Sequence, residues 1–332
     1  MAGYRVAVVG ATGAVGKTIL KVLAERKFPV RSLNLFATSR SAGTTIEFNG
    51  TPVEVREIAL GEIKGADFAF FCAASQASKE LAPALAAAGT IVIDKSSVFR
   101  MDPAVPLVVP EVNPGRIRSH RGIIASPNCS TIQLVVAIKP VYDMSRITRL
   151  IVSSYQSVSG TGHDAVDELA VQTRVVLDGG RAEPRVYPRQ IAFNALPHID
   201  AFEESGYTGE EMKLVRETRK ILEDDQMRIT ATTVRVPVFY GHSEAVTLET
   251  SRPLGVPDVI ERFSRAPGVV VSADPADYHT AVECAGRDEV FVSRIRKDIA
   301  FDNGISMWVV SDNLRKGAAT NAVQIAEMIT GA

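Results

Sequence analysis

Cysteine is scarce in this chain, and its spacing excludes several classes at once. The three residues, Cys72, Cys129 and Cys284, make neither an even disulfide set nor a metal-ligand spacing. No metal site is expected, and a reducing cytoplasm is. An excess of charge of one sign is equally lacking. Lys plus Arg number 37 against 38 Asp plus Glu, so nothing implies a nucleic acid or an anionic membrane as partner, and any anion site must be local. Long apolar runs are missing too. The most apolar stretch, 81–93, is interrupted by Pro83, Gly89 and Thr90, well short of the roughly 20 residues a bilayer needs. The beginning, Met1-Ala-Gly-Tyr-Arg5, enters an apolar strand without a signal-like region, and no repeat or low-complexity tract occurs.

What remains is ordinary for a soluble globular protein: 332 residues, 46% hydrophobic and 23% charged, long enough for two domains. The first 130 residues alternate strand and helix. Arg5-Val-Ala-Val-Val9 is a β-branched run that leads into Gly10-Ala-Thr-Gly-Ala-Val-Gly16, and 17–27 continues with helical spacing at Ile19, Leu20 and Leu23. A glycine loop between strand and helix lets backbone N–H groups approach a pyrophosphate at the helix N-terminus. Gly10, Thr12, Gly13, Ala14 and Val15 are therefore candidate cofactor-binding residues. The second strand, 32–37, runs into Ser39, Arg40 and Ser41, where an NAD-binding chain would carry an acid against the ribose. A cation flanked by hydroxyls suits a 2′-phosphate instead, which points to NADP. The apolar run 68–73, the helical 77–88 and the strand 90–93 extend a parallel sheet, with Cys72 in its core. Arg100 follows the last of these strands, where open α/β sheets place ligand contacts.

The character changes at Ser126-Pro-Asn-Cys-Ser-Thr131. Cys129, at the expected start of a helix over about 131–141, is a candidate nucleophile, because a helix N-terminus favours the thiolate of a group whose free pKa is about 8.5. It could equally be a small core residue at a strand-helix junction. Further on, a strand over 149–157 delivers Gln156 to a glycine loop holding Ser159 and Gly160, which can pass close to a cofactor. Helices are expected over 163–177 and 209–222, and the proline-rich 181–199 is irregular. Glu210 and Lys213 share a helix face, either as a solvated ion pair or as paired binding groups. Strands over 228–238 and 239–249 are expected to be adjacent and antiparallel, with Arg235 and His242 near one end. A turn histidine is the natural proton carrier for a cysteine mechanism. Strands over 289–295 and 305–310 complete an antiparallel sheet, Cys284 falls in a loop, and a closing helix over 312–329 begins near Asn313, a candidate for the nicotinamide end.

Taken in order, Gly10-Ala-Thr-Gly-Ala-Val-Gly16, Ser39-Arg-Ser-Ala-Gly43, Ser126-Pro-Asn-Cys-Ser-Thr131, Tyr155-Gln-Ser-Val-Ser-Gly160, Glu210-Glu-Met-Lys213, Arg235-Val-Pro-Val-Phe-Tyr-Gly-His242 and Asp312-Asn-Leu-Arg-Lys-Gly317 resemble the motifs of the aspartate-β-semialdehyde dehydrogenases over essentially the whole chain. The resemblance implies an α/β fold: an N-terminal Rossmann-type NADP domain (1–128 plus 314–332) and an α+β catalytic and dimerisation domain (129–313) with a largely antiparallel sheet. It implies Cys129 as the acyl-thioester nucleophile, His242 as acid/base and Gln156 as the residue orienting the acyl group. Arg235 would hold the substrate α-carboxylate, Glu210 the α-ammonium, and Arg100, Asn128 and Lys213 the phosphate. It implies NADPH as reductant, a small-molecule substrate with inorganic phosphate, a homodimer or dimer of dimers, and a place in lysine, threonine and methionine synthesis. Two rivals stand beside it. An N-acyl-γ-glutamyl-phosphate reductase shares nucleophile and cofactor, but its N-acylated substrate lacks the ammonium that Glu210 would bind. A catalytically silent NADP-binding regulator would not need both Cys129 and His242.

If Arg40 meets the 2′-phosphate, Arg40→Ala should raise KM for NADP about tenfold or more, since a charge-assisted pair is worth about 1.5–3 kcal/mol, and leave KM for NAD nearly unchanged. Steady-state kinetics with both nucleotides check this, and equal effects would remove Arg40 from that role.

Overall fold

The computed structural model describes residues 3–331; positions 1, 2 and 332, the outermost of the expected first domain, lie outside the described residues. The chain divides into two compact units, Met1–Asn128 with Ala318–Ala332, and Cys129–Gly317. The return to the first unit thus falls at 317/318, beyond the expected 313/314.

The first unit holds β1 (Tyr4–Val9), α1 (Ala14–Glu25), β2 (Val30–Ala37), β3 (Thr45–Phe48), β4 (Thr51–Glu57), α2 (Leu60–Ile63), β5 (Phe68–Phe71), α3 (Ser75–Ala87), β6 (Ile91–Asp94) and β7 (Ile123–Ala125). They form a seven-stranded sheet in the order β3-β4-β2-β1-β5-β6-β7, parallel except for β3 against β4. Its central strands are buried on both faces, which is why Val6 to Val9 and Phe68 to Phe71 read as continuous apolar runs without alternation. The β3-β4 hairpin was not foreseen. Its strands are mostly exposed and carry no apolar run, yet Asn49 and Gly50, with φ of 50° and 78°, are the residue pair that a two-residue hairpin turn favours. The C-terminal helix, Asn321–Thr330, puts Ala322, Val323, Ile325 and Ala326 into this unit's core. It is not the single helix over 312–329 that was expected: a π-helical stretch, Arg315–Thr320, precedes it.

The second unit begins with α4 (Cys129–Met144), followed by β8 (Ile147–Gln156), α5 (His163–Leu177), α6 (Gly209–Leu222), β9 (Arg228–Arg235), β10 (His242–Thr250), α7 (Val256–Ser264), β11 (Val269–Val271), α8 (Ala281–Cys284), β12 (Val290–Lys297) and β13 (Gly304–Ser311). The six strands run in the order β11-β12-β13-β10-β8-β9. One expectation fails here. β9 and β10 are not neighbours, because β8 lies between them, antiparallel to β10 and parallel to β9. Cys284 ends the short helix α8 and is buried, where a loop was expected. α6 starts at a full capping box, in which Thr208 accepts the Glu211 N–H and Glu211 accepts the Thr208 N–H.

Helix α4 packs against β8, β10, β12 and β13 and buries almost every residue from Ser130 to Val141, so it shows no polar face. Glu244, fully buried on β10, belongs to this interior. Neither of its carboxylate oxygens has a hydrogen-bond partner among the described residues. Burial pushes its pKa well above the ordinary 4.5; the Gln133 amide opposes this without closing a hydrogen bond.

That shift carries a sign. Well below pH 4.5 the group is neutral in folded and unfolded chains alike. Above it, the unfolded chain ionises while the folded one holds its proton, so stability falls as pH rises toward the folded pKa. Glu244→Gln keeps the shape and removes this loss. Urea denaturation should find it more stable than the parent at mildly alkaline pH and nearly the same at pH 4.5; a variant less stable at both would mean that the carboxyl is buried ionised.

Candidate active site

In the first unit, the glycine loop is tied to the neighbouring strands. Gly10 and Ala11 donate to Phe36 O at 2.8 and 3.0 Å, which sets the loop beside the end of β2 and its exposed Ser39-Arg40 turn. The glycines differ in purpose. Gly10 has φ of 91°, and a Cβ there would lie 2.8 Å from the Cys72 and Ala73 backbone; one at Gly16 would lie 2.2 Å from Gly10 O. These two are demanded by the fold. Gly13 is exposed, and its Cβ would meet only Gly10 O at an ordinary 3.4 Å, so the fold itself has no need of it. It precedes an α1 N-terminus that no side chain caps among the described residues. A bare backbone leading to uncapped N–H groups fits a pyrophosphate, and Thr12, Ala14 and Val15 line the same turn.

In the second unit, Cys129 is the first residue of α4, and its Sγ lies 3.4 Å from Nε2 of the fully buried His242. This is the nucleophile-base distance expected of such a pair. Burial, then the positive charge of Arg235, holds the His242 pKa well below its usual 6.5, with the Gly241 carbonyl opposing in part. The other two thiols are unsuited to the role. Desolvation pushes both Cys72 and Cys284 up to about 12, although Cys72 as a whole residue keeps some exposure.

The sheet gathers the remaining groups at one end. Gln156 pairs with Arg235 across β8 and β9, and Tyr155 with Ser243 across β8 and β10, so Gln156, Arg235 and His242 end their strands together. Gln156 Nε2 donates to Glu210 Oε1 at 3.2 Å and to Ser154 Oγ at 3.3 Å. Lys213 Nζ donates to Glu210 Oε2 at 3.1 Å and to Asp200 Oδ2 at 2.8 Å. Burial alone would lower the Lys213 pKa, but the two carboxylates outweigh it and raise it, keeping the ammonium charged. Arg235 is buried, and its Nη1 donates to Ser157 O at 2.6 Å. Its buried Nε makes no hydrogen bond among the described residues, which leaves a donor for an anion.

Several expected site residues already have hydrogen-bond partners inside the protein. Arg100 is buried in the first unit, where Nε donates to Ser126 O at 3.1 Å and Nη2 to Lys95 O at 2.7 Å. Asn128 is buried in the same unit. The side chains of Ser159 and Asn313, expected at the cofactor, bond to each other and to Ser157 beside His242. Ser157 and Asp200 are the contributors that sequence reasoning passed over. Ser157 stood inside the Gln156 motif, whereas nothing around Asp200 in the sequence marked it.

The chain matches the family model described as semialdehyde dehydrogenase, NAD binding domain, over residues 5–120, and the one described as semialdehyde dehydrogenase, dimerisation domain, over residues 138–316. It is 54% identical to the aspartate-semialdehyde dehydrogenase of Aquifex aeolicus over 98% of both chains. Among solved structures, aspartate semialdehyde dehydrogenase II from Vibrio cholerae complexed with ASA superposes with a TM-score of 0.96 at 48% identity, covering 100% of this chain and 99% of that one. The Candida albicans enzyme with NADP gives 0.77 at 26% identity, over 99% of each chain.

One glycine tests the geometry directly. A Cβ at Gly160 would lie 3.1 Å from Arg235 Nη1 and 3.2 Å from His242 Cε1 and Nε2. Gly160→Ala should therefore lower kcat about ten- to a hundred-fold by displacing the imidazole, with thermal stability little changed. Activity within twofold of the parent would show that the ring tolerates the shift.

Proposed function

This chain belongs to the aspartate-semialdehyde dehydrogenase family, and from that premise we propose that it reduces L-β-aspartyl phosphate to L-aspartate 4-semialdehyde with NADPH, and runs the reverse phosphorylating oxidation, through a thioester on Cys129. The observation that carries the reading is the 3.4 Å approach of Cys129 Sγ to His242 Nε2 at a helix N-terminus. Arg235, with its uncommitted Nε, holds the α-carboxylate, and Glu210 the α-ammonium. Gln156, already bonded to Glu210, orients the acyl group. Arg100, Asn128 and Lys213 bind phosphate. Cys129 attacks the acyl carbon and phosphate leaves. Bound NADPH supplies the hydride that turns the thioester into a thiohemiacetal. This collapses to the aldehyde and frees the sulfur, with His242 serving first the sulfur and then the oxygen. The covalent step divides one difficult displacement into two easier ones.

For the cofactor, Gly10, Thr12, Gly13, Ala14 and Val15 hold the pyrophosphate; Ser39, Arg40 and Ser41 hold the 2′-phosphate; the Ser159-Gly160 backbone and the turn at Asn313 flank the nicotinamide. The NADP carried by the Candida albicans relative supports the choice of nucleotide. The chain works as a homodimer or dimer of dimers in the cytoplasm, in the synthesis of lysine, threonine and methionine.

Aspartate semialdehyde, NADP and inorganic phosphate should together give NADPH, at a rate that depends on phosphate and falls at least about 10³-fold in Cys129→Ala, as loss of a nucleophile requires. No NADPH from the intact protein under saturating phosphate would sink the reading.

A further inference from the structure

The irregular segment 181–199 carries Pro184, Pro188 and Pro197, so it joins no continuous ladder, and its peptide groups must find other partners. Two buried side chains one turn apart on α5, Glu168 and Gln172, supply them. Glu168 Oε2 accepts the Arg185 N–H at 3.1 Å and the Val186 N–H, and its Oε1 accepts Gln172 Nε2 at 3.0 Å. Gln172 Oε1 accepts the N–H groups of Ile191 and Ala192 at 2.9 and 3.2 Å, and its Nε2 also donates to Glu183 O at 3.2 Å. A carboxyl group is costly in an interior unless donors meet it, and here both oxygens accept one. The same face of α5 carries Ala165 and Leu169, which pack with Tyr187, Ile191, Ala192 and Leu196. Polar and apolar contacts thus clamp the segment from 183 to 192.

Beyond the clamp the chain meets a site residue. The Asn194 N–H closes a turn on Ile191 O at 3.1 Å, and Leu196 then exchanges both backbone hydrogen bonds with Arg235, donating to its O at 2.9 Å and accepting its N–H at 2.8 Å. β9 is an edge strand with β8 on its other side, so Leu196 closes the outer edge at the strand's last residue. Thr161 Oγ1 and Tyr187 OH, 2.9 Å apart, join the segment to the turn after β8, where Ser157 O accepts Arg235 Nη1. Among the described residues neither Glu168 nor Gln172 bonds to Arg235 itself, so the connection runs through the segment.

We propose that Glu168 and Gln172 are positioning residues that set Arg235 for the substrate's α-carboxylate, by clamping 183–192 and, through Leu196, the end of β9. The inference rests on the reading above that Arg235 holds that carboxylate. A guanidinium meets a carboxylate through N–H groups fixed in one plane, so such a site must be held to within about 0.5 Å. An edge strand freed at its last residue loses that precision. A clamp that served stability alone would leave the affinities for substrate and nucleotide in step; a clamp on Arg235 separates them.

The test compares the full chain with its variants by hydrogen exchange, read by mass spectrometry, and by calorimetric titration with aspartate semialdehyde in the absence of nucleotide. Glu168→Ala removes the acceptor of the Arg185 and Val186 N–H groups. Peptides covering 193–199 and 228–236 should then exchange at least about tenfold faster, and the semialdehyde should bind about tenfold more weakly, as a misplaced charge-assisted pair requires. NADP, titrated separately, should bind within about twofold of the parent, since its phosphates rest on the first unit. Glu168→Gln keeps an oxygen for the two N–H groups and should hold both readings within about threefold of the parent. Should Glu168→Ala not fold, Gln172→Ala, which removes the acceptor of Ile191 and Ala192, decides by the same readings. Unchanged exchange in the alanine variant overturns the proposal, as do faster exchange with unchanged semialdehyde affinity and an equal loss of affinity for both ligands. Arg235→Ala separates the two readings. Unchanged semialdehyde affinity there removes the carboxylate role of Arg235, whereas lost affinity there with full affinity in Glu168→Ala overturns this inference alone.

Discussion

The hydrogen-bonded register of β8 between β9 and β10 is the constraint from which the second unit's chemistry follows. A slip of one residue in either pairing would turn every side chain of the slipped strand to the opposite face. In the observed register Gln156 stands beside Arg235 on one side, and on the other Tyr155 stands beside Ser243, one position from His242. Three polar groups, with Gln156 far from the other two in sequence, thus finish on one face at one end of the sheet, where α4 brings Cys129. Strands are rigid supports, so the geometry does not depend on a mobile loop.

Placing that chemistry in an interior forces a choice at each titratable group, and the partners decide the outcome. An unpaired buried charge costs several kcal/mol, so a group without an opposite charge becomes neutral. Glu244 and His242 take that course, the first by holding a proton and the second by refusing one. Lys213 is only partly buried and also loses solvation, but it faces Glu210 and Asp200, and it keeps its charge. A neutral imidazole and a charged ammonium in one unit are therefore products of the same rule acting on different neighbours.

Glycine serves the site in two ways. At Gly10 and Gly16 the backbone itself has no room for a side chain, and at Gly317 a Cβ would lie 3.0 Å from that of Cys129. At Gly13 there is room, and the missing side chain instead clears an approach to α1. Sequence spacing alone does not separate these cases, since all the loop glycines look alike until the atoms around each are placed.

Much of the chain was legible because its signals are local. The apolar stripes over 163–177 and 209–222, the glycine loop after β1 and the cysteine at the head of α4 are written within a few residues of where they act. The pattern of motifs along the chain was enough to place it in its family. What the sequence could not decide was partnership. Alternation marked β9 and β10 as strands but could not show that β8 enters between them, because period-two patterning says which face a strand buries and nothing about its neighbour. The tie from Ser157 to Asn313 spans 156 positions, and Asp200 reaches Lys213 from an irregular segment. Residue types set which groups could donate, accept or ionise; only the packed chain determined which of them face one another, and through that the neutrality of His242 and the charge on Lys213.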